Sequence, residues 1–263
     1  MALTASLNHR RSTAVAVFFT SLLVLFLGPG RSDGGVSSGV WAYPGDRDII
    51  TAEFWTELDP IMEGLQPNSP AADTRDSPVE PLISTGVISQ EEAIRRTLEE
   101  ARIVLSGMIY GFDVLYTPQD RERKVEEELV IEARAEIPHG DPSLRVLQVR
   151  TSNNKYFVHV RYNLADFQQR RLQSWGSNTL TVAAGRGTEP LQGGYRAKFE
   201  SFNQAIKNAL REHLRPRYKN KPRRIKASVA LTEPPYTVID AGGYHSRVRL
   251  KIDIREVQPY SAY

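Results

Sequence analysis

Apolar residues Ile94, Leu98, Ala101, Leu105 and Met108 step by four, three, four and three, the spacing of one helix face. Ser89 with Glu92 three residues on fits a capping box at its start. The helix exits through Gly107 and Gly111 into Phe112–Tyr116, which reads as a strand. A second helical stretch, Arg196–Leu214, carries Phe199, Phe202, Ile206, Ala209 or Leu210, and Leu214 on one face and stops before Pro216. Elsewhere the period is two. Val125–Ile137 alternates, with Glu126, Glu128, Glu132 and Glu136 on the outer side. Leu144–Arg150 and Tyr156–Tyr162 flank Ser152-Asn153-Asn154 and predict a hairpin. Ile225, Ala227, Val229 and Leu231 alternate up to Pro234-Pro235. Near the C-terminus Val248, Leu250, Ile252 and Ile254 face one way, and Arg247, Arg249, Lys251, Asp253 and Arg255 face the other. Ala165–Trp175 predicts a short helix, Ser177–Gly194 a long Gly- and Thr-rich loop, and Ala241–Gly243 a turn.

Helix then strands, followed by helix then strands, predicts an α+β fold: one mostly antiparallel sheet packed on one face against two long helices. The repeated order leaves room for a diverged duplication. Upstream, Ile50, Phe54, Trp55, Leu58, Ile61, Met62 and Leu65 recur at helical spacing and predict a short amphipathic helix interrupted at Pro60. Gln66–Pro81 reads as a Pro-, Ser- and Asp-rich linker with little to bury. At the N-terminus, Arg10 and Arg11 precede an apolar run from Ala14 to Gly28, ended by Pro29. That is the layout of a secretory signal, short for a bilayer span. Val40-Trp41-Ala42 offers a cleavage site far from the run, so the segment is either removed or kept as an anchor. The expected organisation is therefore a signal peptide or anchor over 1–42, a helix and linker over 43–81, and the α+β domain over 82–263.

Composition narrows the setting. In 263 residues, 40% hydrophobic and 9% aromatic, there is enough to fill a core, which excludes a wholly disordered chain. There is no cysteine, which removes disulfides, thiol nucleophiles, zinc–thiolate sites and lipoprotein lipidation. Secreted eukaryotic domains are usually disulfide-bonded, and no Asn-x-Ser/Thr acceptor occurs. A bacterial periplasm or cell envelope is the simplest compartment. The near-neutral net charge of +3 hides a split: residues 43–150 hold 11 basic and 22 acidic side chains, residues 151–263 hold 20 and 8. Either the acidic face of 125–137 lies beside the basic face of 247–255, or one surface meets a charged partner.

No catalytic signature emerges. The histidines, His9, His139, His159, His213 and His245, lack metal-ligand spacing. Gly35–Gly39 matches Gly-x-Ser-x-Gly without the strand and helix that a nucleophile elbow requires. The glycines at 185–187 and 193–194 lack the Lys-Ser/Thr of a phosphate loop. No cofactor and no metal are expected. One constellation rises above background: Arg211, Arg215, Arg217, Lys219, Lys221, Arg223, Arg224 and Lys226, opposed within the run by Glu212 alone, with Tyr218 among them. It is either a solvated junction or an anion-binding patch. Its partners would be an envelope protein, a cell-wall polymer or an anionic lipid surface. Nucleic acid is not expected, since stacking aromatics are few.

The stretch EEAIRRTLEEARIVLSGMIYGFDVLYTPQDR from Glu91, with the later Lys155-Tyr156-Phe157-Val158-His159-Val160-Arg161-Tyr162, resembles uncharacterised exported proteins of spirochaetes, which share the Ser-Gly-Met-Ile-Tyr-Gly style of helix exit. It also resembles the small α+β domains of LPP20-like envelope lipoproteins and of the N-terminal part of flagellar assembly protein T. The resemblance covers about a quarter of the chain and brings no catalytic residues. It implies an exported, non-enzymatic structural or assembly component. The alternatives are an envelope-polymer hydrolase with loop carboxylates as acid and base, which requires a cleft carboxylate of raised pKa, and a small-ligand-binding module using the sheet face and the 177–194 loop.

Overall fold

In the computed structural model, which describes residues 48–59, 87–218 and 220–260, the elements run β1 (Ile49–Glu57), α1 (Gln90–Ile109), β2 (Phe112–Thr117), β3 (Glu128–Ala133), β4 (Leu144–Ser152), β5 (Lys155–Asn163), α2 (Asp166–Trp175), β6 (Thr181–Pro190), a short turn of 3-10 helix (Leu191–Gly193), α3 (Gly194–Leu214), β7 (Arg224–Leu231), β8 (Tyr236–Asp240) and β9 (Gly243–Gln258). Every strand pairing is antiparallel. The strands form two sheets. One has the order β1-β5-β4; the other runs β3-β2-β7-β9-β6, with β8 joined to the N-terminal half of β9.

The long helices form where the apolar steps predicted them. Ser89 caps α1 by accepting from the Glu92 N–H at 3.2 Å. The Glu92 carboxylate turns instead to Arg95 and Arg96, at 2.7 and 2.6 Å. Both helices cover the same face of the larger sheet. Phe112 and Val114 of β2, Val229 of β7, and Val248, Leu250 and Ile252 of β9 are buried in one cluster with Val104 and Leu105 of α1 and Phe202 and Ile206 of α3. α1 also packs on β1 and β5 and so ties the smaller sheet to the core. Gly111, at φ +82°, makes the left-handed exit from α1 that other residues adopt at a cost. Asn153 and Asn154 take positive φ in the β4–β5 turn, as do Ala241 and Gly242 in the β8–β9 turn.

The α+β class and the two long helices stand, but several elements differ from expectation. The predicted helix over Ile50–Leu65 is strand over its first part. Ile50, Ala52, Phe54 and Thr56 alternate inward on β1 and pair with Tyr162, Val160, Val158 and Tyr156 of β5. The i, i+4 spacing of Ile50 and Phe54 belongs to a period of two as well as to one of 3.6, and β-formers Ile, Thr, Phe and Trp decide the matter. The predicted loop over 177–194 contains β6, a ten-residue strand. The strand expected over 125–137 is ordered as β3 only from Glu128 to Ala133. There are two sheets rather than one. The acidic β3 and basic β9 are not neighbours, because β2 and β7 lie between them. The 1–42 segment, the 66–81 linker, the 60–65 part of the predicted helix and Lys219 lie outside the described residues.

Candidate functional site

α3 ends at Leu214, and the segment that follows turns against the connection between β2 and β3. Four of the eight cations singled out in the sequence converge there: Arg211, Arg215, Arg217 and Lys221. The carbonyl end of a helix favours cations by its dipole, and α3 carries Arg211 and His213 in its last turn. Arg211 stands 3.9 Å from Glu127, Arg217 contacts the His213 ring, and Lys221 donates to the Gln119 carbonyl at 3.1 Å. Burial and the neighbouring Arg217 charge push His213 below its ordinary pKa. The other described cations of the run go elsewhere. The Arg223 N–H donates to the Gln258 carbonyl at 2.8 Å, Arg224 begins β7, and Lys226 pairs with Glu256 at 2.8 Å on the solvent face of the sheet.

Two clefts flank this segment. The larger, about 1010 Å³, adds Arg121, Arg123 and the rings of Tyr218 and Tyr260 to Arg217 and Lys221. The smaller, about 470 Å³, lies against Tyr116, Glu127, Arg211 and Arg215. In the larger cleft Arg123 is held by Asp120 at 2.6 Å and stacks 4.4 Å over the Tyr260 ring. The buried Tyr260 hydroxyl has no hydrogen-bond partner among the described residues. Two of the cleft carboxylates, Asp120 and Glu127, are held in the charged form by their partners. The Arg123 hydrogen bond holds Asp120 below the usual carboxylate range. Burial raises Glu127, but hydrogen bonds from Lys207 and Tyr116 outweigh it and leave that carboxylate lowered too. Among the described residues no three His, Asp or Glu side chains converge to hold a metal.

A second cluster escaped the sequence reading. Lys198 of α3 lies in the core, donating to Glu100 of α1 and to the Trp55 carbonyl, each at 2.6 Å. Its ammonium sits 4.1 Å from the Trp55 ring centroid, and that of Lys155 lies 4.0 Å from it. Tyr244 stacks on Trp55 and donates to Glu57 at 2.6 Å. Burial pushes Glu100 up and Lys198 down, opposed by their mutual attraction. A lysine of depressed pKa and a raised carboxyl are the groups acid–base chemistry uses. The cavity against them is about 10 Å³, roughly one water's worth, so the cluster is closed to substrate and joins β1, α1 and α3. A signal existed: Lys198 shares a stripe with Phe202, Ala205 and Ala209, and Glu100 one with Ala93, Thr97 and Val104. Charges on buried helix stripes come as pairs.

Among the described residues no helix is long and apolar enough to cross a membrane. A protein-family model matches residues 37–260. The chain is also similar to an uncharacterized protein of Treponema pallidum (strain Nichols), 26% identical over 184 residues, or 68% of this chain and 77% of that protein. No solved structure matches significantly. The chain belongs to the family described by the model over 37–260.

Proposed function

We propose that this family member is an exported, non-enzymatic interaction protein of the cell envelope that holds an acidic partner protein at the basic end of α3. One observation carries the reading: Arg211, Arg215, Arg217 and Lys221 gather with Arg121 and Arg123 around two adjoining clefts. Such a surface steers and orients an anionic partner more than it fixes raw affinity. Export is supported by Arg10 and Arg11 ahead of the apolar run 14–28. The resemblance of the 91–162 stretch to LPP20-like lipoproteins and to the N-terminal part of flagellar assembly protein T points to an assembly role, without the lipid tether that a cysteine would provide.

The test is to crosslink the protein in its own envelope and identify what co-purifies at low and high salt. A stoichiometric partner should be lost at high salt and lost from the variant Arg121→Glu/Arg215→Glu/Arg217→Glu/Lys221→Glu. If that variant unfolds as the parent does yet keeps its partner, the reading is wrong. A second reading, a small anionic ligand in the larger cleft, is favoured by the Tyr260 hydroxyl beside Arg123, which has no hydrogen-bond partner among the described residues. Calorimetric titration with acidic sugars, compared with the Tyr260→Phe variant, distinguishes the two.

A further inference from the structure

The solvent face of the larger sheet carries an arrangement that its own stability disfavours. Arg247 and Arg249 sit at alternate positions of β9, with Val248 between them buried and both arginines exposed. β6 runs beside β9 with Arg186 directly opposite Arg247 and Ala184 opposite Arg249. Like charges facing each other across neighbouring strands destabilise a sheet. Arg186 and Arg247 are such a pair, and Arg186 is also exposed. Among the described residues none of the three guanidinium groups meets a carboxylate or another hydrogen-bond partner; the Asn208 and Thr232 side chains donate only to the Arg186 and Arg249 carbonyls. The ion pairs of this face gather at its other end, where Arg255 meets Asp253 at 3.0 Å and Arg134 meets Asp113 at 3.5 Å.

The shape of the surface says what kind of anion would compensate these charges. Along β9 the two arginines are roughly 7 Å apart and across to β6 roughly 5 Å, all standing on the same face of the sheet. None of the clefts described above includes them. A discrete ligand is held in a concavity, whereas an open array of exposed cations matches an extended anionic surface. The floor between them is apolar, with Ala184 and, one step further along β6, Val182 at 46% exposure. Arginine stems can lie along such a floor while the guanidinium groups meet phosphates.

We propose that Arg186, Arg247 and Arg249, around Ala184 and Val182, form a docking surface for an anionic phospholipid bilayer. The surface is separate from the basic end of α3, and the inference does not depend on the partner proposed there. At the β3–β2 end of the same face Arg134, Lys226 and Arg255 are already paired with Asp113, Glu256 and Asp253, so the molecule meets the bilayer by the β6–β9 end, where the cations are uncompensated.

The test is co-sedimentation of the full chain with vesicles of phosphatidylcholine alone and of phosphatidylcholine mixed with phosphatidylglycerol, each at low and high salt. Any insertion of the apolar 14–28 segment contributes to both vesicle types, so the anionic excess is the quantity to read. The parent should show that excess and lose it at high salt, where screening shortens the reach of charge to about 3 Å at 1 M. Each surface cation contributes roughly fivefold to binding. Arg186→Gln/Arg247→Gln/Arg249→Gln should therefore weaken anionic-vesicle binding by about 100-fold. The same variant should melt no lower than the parent, since it relieves a like-charge pair; a lower melting point would mean the arginines serve the fold. Equal binding to both vesicle types would overturn the proposal. So would loss of the excess in Arg215→Glu/Arg217→Glu/Lys221→Glu with none in the triple glutamine variant. Competition by inorganic phosphate beyond that of chloride at equal ionic strength would identify a discrete phosphate site and overturn the bilayer surface.

Discussion

At the scale of single residues, the Lys198–Glu100 pair is where chemistry and packing conflict most. Both side chains are almost fully buried, 5% and 10% exposed, and removing one partner of a buried ion pair leaves a charge that the core cannot solvate. Lys198→Met is expected to cost about 3–5 kcal/mol, and adding Glu100→Gln should recover much of it. Urea unfolding of the two single variants and the double variant measures this as a cycle. If the double variant loses the sum of the two singles, the pair is not coupled. Glu92 behaves differently, because it lies near the surface. Hydrogen bonds from Arg95 and Arg96 lower its pKa to about 2. A carboxylate depressed in the folded state adds stability above its unfolded pKa of about 4.3 and loses it as pH falls toward 2. Glu92→Gln should then cost less than about 1 kcal/mol at neutral pH, with the gap to the parent closing by pH 2. A gap that persists at pH 2 would place the loss in packing.

At the scale of elements, β6 shows why part of the fold was illegible in sequence. Its Thr181-Val182-Ala183-Ala184-Gly185-Arg186-Gly187 has the composition of a loop, yet α3 lies directly on it. A Cβ on Gly185 would stand 2.0 Å from the Ala205 carbonyl oxygen, and one on Gly187 2.0 Å from that of Ser201. The glycines are there because helix backbone occupies the space of a side chain, a tertiary demand that no local pattern reports. Gly187→Ala should therefore destabilise by at least the 1–3 kcal/mol typical of overpacking, while Gly140→Ala, with open space but φ +74°, should cost only about the 1–2 kcal/mol of a left-handed residue. Thermal unfolding of the two variants decides it, and equal losses would show that α3 yields easily. α1, α3 and β9 were readable because burial on one side alone produced their pattern, and the β4–β5 hairpin because its Asn153-Asn154 turn is a local signal. β1 was misread because Ile50 and Phe54 satisfy two periods at once. In the candidate site, Arg211, Arg215, Arg217 and Lys221 were visible as a charge run. Arg121 and Arg123 were not, since only the antiparallel pairing of β2 with β7 brings the 118–127 connection beside them.

At the scale of the molecule, the split in charge is resolved partly inside the fold. Glu100 and Glu127 from the acidic half meet Lys198 and Lys207 from the basic half at 2.6 and 2.7 Å, so the two halves form one body held by core and ion pairs alike. β1 belongs to that body although it precedes the boundary that composition placed at residue 82. It fills one side of β5 along its whole length, and Ile50, Phe54 and Trp55 are at most 6% exposed. Burying side chains of this size contributes roughly 1.5–3 kcal/mol each, so the three together weigh as much as the whole stability of many domains, about 5–15 kcal/mol. Without β1, the backbone of β5 loses its partner on that side, and Lys198 loses the Trp55 carbonyl that accepts from it. A chain begun at residue 82 is therefore expected to lose cooperative unfolding and to aggregate through the bared β5, whereas one begun at residue 43 should unfold in a single transition. Circular dichroism during urea titration of the two truncated proteins separates the cases, and a sharp transition in the shorter one would mean that β1 is an appendage to a core complete without it.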